Sequence, residues 1–179
     1  MGTAPEGLIY VADFLSAEEH AALLRELLVL EYNHDVFRGQ RLKRGYAQFG
    51  YAYVSTGRKL ERAAEIPAFL QAAIEKAQAL HQGCKAFNQC IVTRYPPNSG
   101  IGWHTDAPRF GECVAGVSLG GKARFQFRPN GTERVSYEVQ AAPGSKYLMR
   151  GPARWQYQHQ VVPVKGERFS LTFRHVAEE

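Results

Sequence analysis

The stretch Arg168-Phe169-Ser170-Leu171-Thr172-Phe173-Arg174 alternates polar and apolar residues without a break. Successive side chains of a β-strand point to opposite faces, so the pattern predicts a strand with Phe169, Leu171 and Phe173 on one side. Arg168, Ser170, Thr172 and Arg174 share the other side. Short runs of strand character precede it, separated by turn residues: NQCIVTRY, ECVAGVSL, ARFQFR, RVSYEV, KYLM and WQYQHQV. Asn130-Gly131 in RPNGTE reads as a hairpin turn with positive φ at both positions. Two helices come first. Ser16 with Glu19 forms a capping box ahead of Leu23, Leu24, Leu27, Leu28 and Leu30. A second helix starts near Pro67, carries Phe69, Leu70, Ala73, Ile74, Ala77 and Leu80 as its apolar stripe, and stops at Gly83. Many short strands behind two helices point to a β-sandwich or jelly roll with the helices on one side. With no linker, repeat or low-complexity segment, residues 1–179 read as one domain.

The 179 residues are 45% apolar and 22% charged, as in a soluble globular protein. No apolar run approaches the ~20 residues that span a bilayer. The N-terminus MGTAPEGLIY lacks the basic start and apolar stretch of a signal peptide. Cys84, Cys90 and Cys113 are odd in number and form no C-x-x-C pair, which argues against a disulfide framework. A reducing compartment follows as the expectation: cytoplasm, or nucleus in a eukaryote. The formal charge of +5 favours anionic partners.

The pentapeptide Gly102-Trp103-His104-Thr105-Asp106 sets one imidazole and one carboxylate two residues apart. In an extended strand both project into the same space. That suits a metal, and it suits an ordinary hydrogen-bonded pair. Two histidines and a carboxylate on one face of Fe(II) would leave positions open for further ligands. A third ligand must then come from a distant strand. Of the six histidines, His20, His34 and His81 fall in or beside the helices and read as surface groups. His159 and His175 lie in the strand region. His159 is preferred because of the polar face of residues 168–174. Two guanidinium groups with hydroxyls between them can bind a dicarboxylate, and 2-oxoglutarate is the candidate. Structural zinc fits less well, since such sites usually close with four nitrogen or sulfur ligands.

These segments together, RYPPNSGIGWHTD, VSLG, RGPARWQYQHQV and ERFSLTFR, resemble the AlkB-like Fe(II)/2-oxoglutarate dioxygenases. The resemblance is strong over about residues 87–176 and looser over 8–60. It implies an α+β fold, a double-stranded β-helix (jelly roll) core with N-terminal helices packed on one side. It implies His104, Asp106 and His159 as catalytic iron ligands, with 2-oxoglutarate and O2 as cosubstrates. Arg168 and Arg174 become the cosubstrate arginines, with Tyr95 in contact. Thr93 and Ser170 stand where the family often has asparagine, and both can hydrogen-bond. The implied activity is oxidative demethylation of N-alkylated nucleobases in DNA or RNA, single-stranded or with the base flipped out.

Residues 33–62 hold seven Lys/Arg against two acids, interleaved with Phe37, Tyr46, Phe49, Tyr51 and Tyr53. Cations can track phosphates while aromatic rings stack on bases. The resemblance makes this segment a recognition lid. Arg38, Lys43 and Arg44 are the phosphate candidates, and Trp103 or Tyr53 would line the base pocket. Where some family members carry an acid two residues after the metal aspartate, this chain has Pro108; Glu112 is the nearby substitute. Two other readings stand beside this one: the same chemistry on a protein or small molecule, and a non-catalytic nucleic-acid-binding jelly roll. A monomer is the simplest assembly.

Overall fold

The alternating runs fold as strands, and shorter strands from the N-terminal third join them. The computed structural model describes residues 2–54 and 59–177. In chain order the elements are β1 (Leu8–Val11), α1 (Ala17–Val29), β2 (Asn33–Phe37), β3 (Gln40–Phe49), β4 (Tyr51–Val54), β5 (Lys59–Arg62), α2 (Ala68–Ala79), β6 (Gln89–Tyr95) and β7 (Ile101–His104). Then come β8 (Val114–Gly120), β9 (Ala123–Pro129), β10 (Tyr137–Ala141), β11 (Lys146–Met149), α3 (Gly151–Trp155), β12 (Tyr157–Val161) and β13 (Arg168–Arg174). A seven-stranded sheet runs β1-β11-β8-β13-β6-β3-β2, a four-stranded sheet runs β10-β9-β12-β7, and β4 pairs with β5. The mostly β architecture with two facing sheets is the expected jelly roll.

Strand β13 is central, antiparallel to both β6 and β8 along its whole length. Its apolar side chains Phe169, Leu171 and Phe173 pack with Leu27 of α1 and with Leu70 and Ala77 of α2. Burying each contributes about 2 kcal/mol. The helices therefore cover the outer face of the large sheet. The polar side of β13 faces inward, toward the small sheet. There Phe125, Phe127 and Val161 pack against Tyr95, Val114 and Met149. Among the described residues no helix is long and apolar enough to cross a membrane.

Several expectations change. The β9–β10 connection is a longer loop, and Gly131 has positive φ whereas Asn130 does not. Thr132 closes it by donating its hydroxyl to the Pro129 carbonyl at 2.8 Å. Helix α2 ends at Ala79, before Gly83. Beyond it the Gln78 amide binds the Cys84 carbonyl and the Phe87 N–H. Cys84 and Cys113 form a disulfide, which brings the α2–β6 loop against the start of β8 across 29 residues. Sequence spacing does not reveal such a long-range meeting. Cys90 is free and buried, and burial pushes its thiol up to about 12.

The three histidines assigned to the surface have structural partners instead. His20 Nε2 accepts the Gly120 N–H at 3.1 Å. His34 lies within β2, with Nδ1 2.9 Å from the Leu42 carbonyl oxygen. His81 is buried against the Lys146 ammonium, itself buried and pushed down to about 8. Burial, then the charges of Lys146 and Arg150, lower the His81 imidazole from 6.5 to about 4. The unfolded chain therefore takes this proton first. The stability present above pH 6.5 is lost as the pH falls toward 4. Metal-free protein is expected to melt at lower temperature at pH 5 than at pH 7. Circular dichroism would check this, with His81→Gln showing a shallower drop.

Candidate metal centre

His104 ends β7, and Asp106 follows two residues later. Antiparallel pairing of β7 with β12 sets His159 directly opposite His104, with ring centroids 4.3 Å apart. Asp106 Oδ2 lies 3.3 Å from His159 Nε2. One nitrogen or oxygen from each of the three residues falls within 4.8 Å of the others. Among the described residues this is the one cluster so arranged. Two imidazoles and one carboxylate form a donor set suited to Fe(II), with positions left open.

Electrostatics favour the metal-binding protonation states. Burial first, then His159, pushes the His104 imidazole down to about 4, so it is neutral at pH 7. Its Nδ1 donates to the Gly102 carbonyl at 2.8 Å, which leaves the Nε2 lone pair free. Burial alone would raise the Asp106 carboxyl. The hydrogen bond from His159 and the Arg174 charge outweigh it and hold the carboxyl far below the usual range. Arg174 Nη1 donates to Asp106 Oδ1 at 2.8 Å, and its Nε donates to Gln89 Oε1 at 2.9 Å.

The cluster opens into a cavity of about 120 Å³ between the sheets, lined also by Thr93, Tyr95, Arg168, Ser170 and Arg174. Register explains the grouping. Arg168 faces Tyr95 across β13–β6, and Ser170 faces Thr93. The Arg168 side chain is buried. Its Nε donates to Ser118 Oγ at 2.9 Å, while its Nη1 has no hydrogen-bond partner. A buried, unpartnered guanidinium nitrogen in a small polar cavity is the natural seat for a carboxylate. The donor set and the cationic anchor therefore both fit Fe(II) and 2-oxoglutarate.

The sequence matches the 2OG-Fe(II) oxygenase superfamily over residues 7–174. The chain belongs to that superfamily. Enzymes of this family use Fe(II), 2-oxoglutarate and O2. The oxygenase is 25% identical over 168 residues to the Xenopus tropicalis protein "tRNA (carboxymethyluridine(34)-5-O)-methyltransferase alkbh8", a match covering 90% of this chain and 26% of the relative. It is 28% identical over 104 residues to the uncharacterized protein L905 of Acanthamoeba polyphaga mimivirus, covering 51% of this chain and 50% of the relative. The chain thus spans half or less of these curated relatives. Among solved structures it is similar to OsALKBH1, with a TM-score of 0.74, 18% identity and 98% and 99% of the two chains covered. It is also similar to a 2OG-Fe(II) oxygenase-family oxidoreductase from Burkholderia pseudomallei, with a TM-score of 0.66, 19% identity and 96% and 87% covered. These likenesses make it an AlkB-like member with the corresponding jelly-roll fold.

A second cavity of about 450 Å³ adjoins the first, sharing Ile91, Thr93, Ile101 and Arg174. Asp35, Arg44, Tyr46, Gln48, Tyr53 and Phe110 complete its wall. Tyr53 meets Phe110 edge-on at 5.6 Å, and Phe110 lies under the Arg174 guanidinium at 3.5 Å. Arg44 crosses to the Gly100 carbonyl, donating at 2.7 Å. Lys43 and Arg38 are exposed on the β2–β3 hairpin. Trp103 does not join these cavities. Its ring lies under Arg128 at 4.3 Å, as expected for the strand neighbour of an inward histidine. Glu112 accepts from Trp155 Nε1 at 3.1 Å.

Two residues of the oxygenase site were not singled out from the sequence. Tyr147 lines the inner cavity, opposite Gly116. A Cβ on Gly116 would come 2.2 Å from the tyrosine ring, so the glycine makes room for it. A glycine inside the VAGVSL strand was the available signal. The second is Arg154. Buried at the end of α3, it donates to three backbone carbonyls: Asp106 at 3.0 Å, Ala107 at 2.8 Å and Gly111 at 3.0 Å. One guanidinium thus holds the loop that carries the aspartate of the cluster. Nothing in RGPARW announces that partner.

Proposed function

We propose that residues 1–179 form one dioxygenase domain that removes N-linked alkyl groups from nucleobases in DNA or RNA. The observation that carries this reading is the shared inner cavity of the His104–Asp106–His159 cluster and the unpartnered Arg168 Nη1. His104, Asp106 and His159 would hold Fe(II). Arg168 would bind the far carboxylate of 2-oxoglutarate, with Tyr95, Thr93 and Ser170 completing its lone pairs. Arg174, bonded to Asp106, keeps that carboxylate ionised and aimed. Bound there, Fe(II) and 2-oxoglutarate would supply, with O2, the oxidant for a C–H bond of the alkyl group, 2-oxoglutarate being converted to succinate and CO2. A hydroxylated N-methyl group would then break its C–N bond to give formaldehyde and the N–H form of the base, so no protein nucleophile is needed.

The outer cavity is the place for the base, against Tyr53 and Phe110. Segment 33–62 is its recognition lid, although residues 55–58 lie outside the described part. Arg38, Lys43 and Arg44 would meet phosphates. The Xenopus tropicalis relative is named as a tRNA methyltransferase, which favours nucleic acid over protein. The test is anaerobic iron loading, then 2-oxoglutarate, O2 and an N-methylated single-stranded oligonucleotide. Equal formaldehyde and succinate are expected. Succinate without formaldehyde would redirect the search to protein or small-molecule substrates.

A mutation separates the cosubstrate role. Arg168→Met would remove the charge-assisted hydrogen bond offered by Nη1, about 3 kcal/mol in magnitude. KM for 2-oxoglutarate is expected to rise about 100-fold, measured as succinate formation against 2-oxoglutarate concentration.

A further inference from the structure

Tyr147 lines the inner cavity together with the metal cluster and Arg168. Strand register brings it there. Tyr147 faces Gly116 across β11–β8, and Gly116 faces Thr172 across β8–β13. The three form one row over neighbouring strands. A Cβ on Gly116 would collide with the tyrosine ring carbons and with the hydroxyl oxygen. The ring therefore crosses the middle strand on bare backbone. Its hydroxyl reaches the far side and hydrogen-bonds the Thr172 side chain.

Covering a strand glycine needs only a ring, and phenylalanine would supply one. The hydroxyl needs a reason of its own, because a buried hydroxyl is unfavourable unless it is hydrogen-bonded. Its surroundings give that reason. On the inward face of β13, Thr172 stands between Ser170 and Arg174, and Arg174 bonds Asp106. The charges of Asp106 and Arg168 both act on the Tyr147 phenol. Arg168 leans toward the same row. Its Nε donates to Ser118 Oγ at 2.9 Å, and Ser118 is two residues from Gly116 in β8, on the same face. Arg168 Nη1 is buried there without a partner. A phenol is protonated at neutral pH and has one proton to give.

We infer that Tyr147 is a cosubstrate-binding residue, its hydroxyl donating to the far carboxylate of 2-oxoglutarate beside Arg168 Nη1. The Thr172 hydroxyl donates to the phenol oxygen and so aims the phenol proton into the cavity. A carboxylate offers about four lone-pair positions, so one guanidinium nitrogen does not saturate it. A 2-oxo acid that lacks the far carboxylate gains nothing from Tyr147. The inference rests on reading the inner cavity as the 2-oxoglutarate site.

The test follows 2-oxoglutarate binding to cobalt(II)-loaded protein by calorimetry, so that no turnover enters. Tyr147→Phe keeps the ring over Gly116. It is expected to bind 2-oxoglutarate at least about 10-fold more weakly than wild type. Its cobalt(II) affinity is expected to equal that of wild type, which also shows that the fold and the cluster are intact. 2-Oxobutyrate, which is 2-oxoglutarate without the far carboxylate, is expected to bind both proteins equally. Equal 2-oxoglutarate affinity in the two proteins would overturn the contact and leave Tyr147 a cover for Gly116. The same fold loss for both acids would also overturn it, placing the hydroxyl at the metal end. Weaker cobalt(II) binding by the variant would overturn it in another way. Phe125 lies 4.6 Å from the Tyr147 ring and 5.5 Å from His159, and Tyr147 would then act on the cluster through it. Wild type that binds cobalt(II) but no 2-oxoglutarate would sink the cosubstrate reading of the cavity, and the contact with it. That failure shows in wild type, whereas failure of the Tyr147 contact alone shows only in the comparison with the variant.

Discussion

The Asp106→Ala protein is expected to lose turnover completely and about 3–5 kcal/mol of stability as well. Two roles meet in this carboxylate. One oxygen faces His159 in the metal cluster, and the other accepts from Arg174 at 2.8 Å. Arg174 is buried, and its Nε is already committed to Gln89. Removing Asp106 would leave a buried guanidinium without its counter-charge. His104→Ala provides the contrast. The His104 ring makes one backbone hydrogen bond, to Gly102, so its loss should end turnover with a smaller change in stability. Urea unfolding of metal-free protein, run beside succinate assays, would separate the two effects. Equal stability losses in both variants would contradict the paired role of Asp106.

Arg154→Ala is the second large expected effect. Its guanidinium bonds the carbonyls of Asp106, Ala107 and Gly111, and phenylalanine 110 of that loop supports Arg174. Without the guanidinium, the loop loses the bonds that aim the aspartate. Groups that orient a metal ligand typically change metal affinity 10–100-fold, and a loss in that range, roughly 10–100-fold, is expected here. Cobalt(II) binding to metal-free protein, followed by its visible absorption, reads this without relying on turnover. Arg154→Lys should recover little, because one ammonium cannot span three carbonyls in the same fixed fork. Wild-type cobalt affinity in Arg154→Ala would reduce Arg154 to a packing residue.

How far the site could be read in advance depended on the range of each interaction. Strand β13 was legible because its own alternation separates Phe169, Leu171 and Phe173 from Arg168, Ser170, Thr172 and Arg174. The structure directs those sets to the helices and to the cavity. The His104–Asp106 pair was legible as a local spacing, and the His159 partner through the polar strand face of residues 168–174 that follows it, with the resemblance agreeing. The hairpin β2–β3 was not legible, because edge strand β2 is almost wholly exposed and the first half of β3 carries Arg41, Lys43 and Arg44, so neither shows the apolar alternation that marks half-buried strands. Arg154 and the Cys84–Cys113 pair depend on contacts across 29 residues or more, where spacing carries no signal. Trp103 illustrates the reverse. Its place beside the metal motif drew attention, yet strand geometry turns it away.

The most direct measurement is succinate formation by anaerobically iron-loaded protein given 2-oxoglutarate and O2, comparing wild type with His104→Ala. Succinate from wild type and none from the variant is the predicted result. Equal succinate from both, or none from either, would contradict the assignment of His104, Asp106 and His159 to the metal.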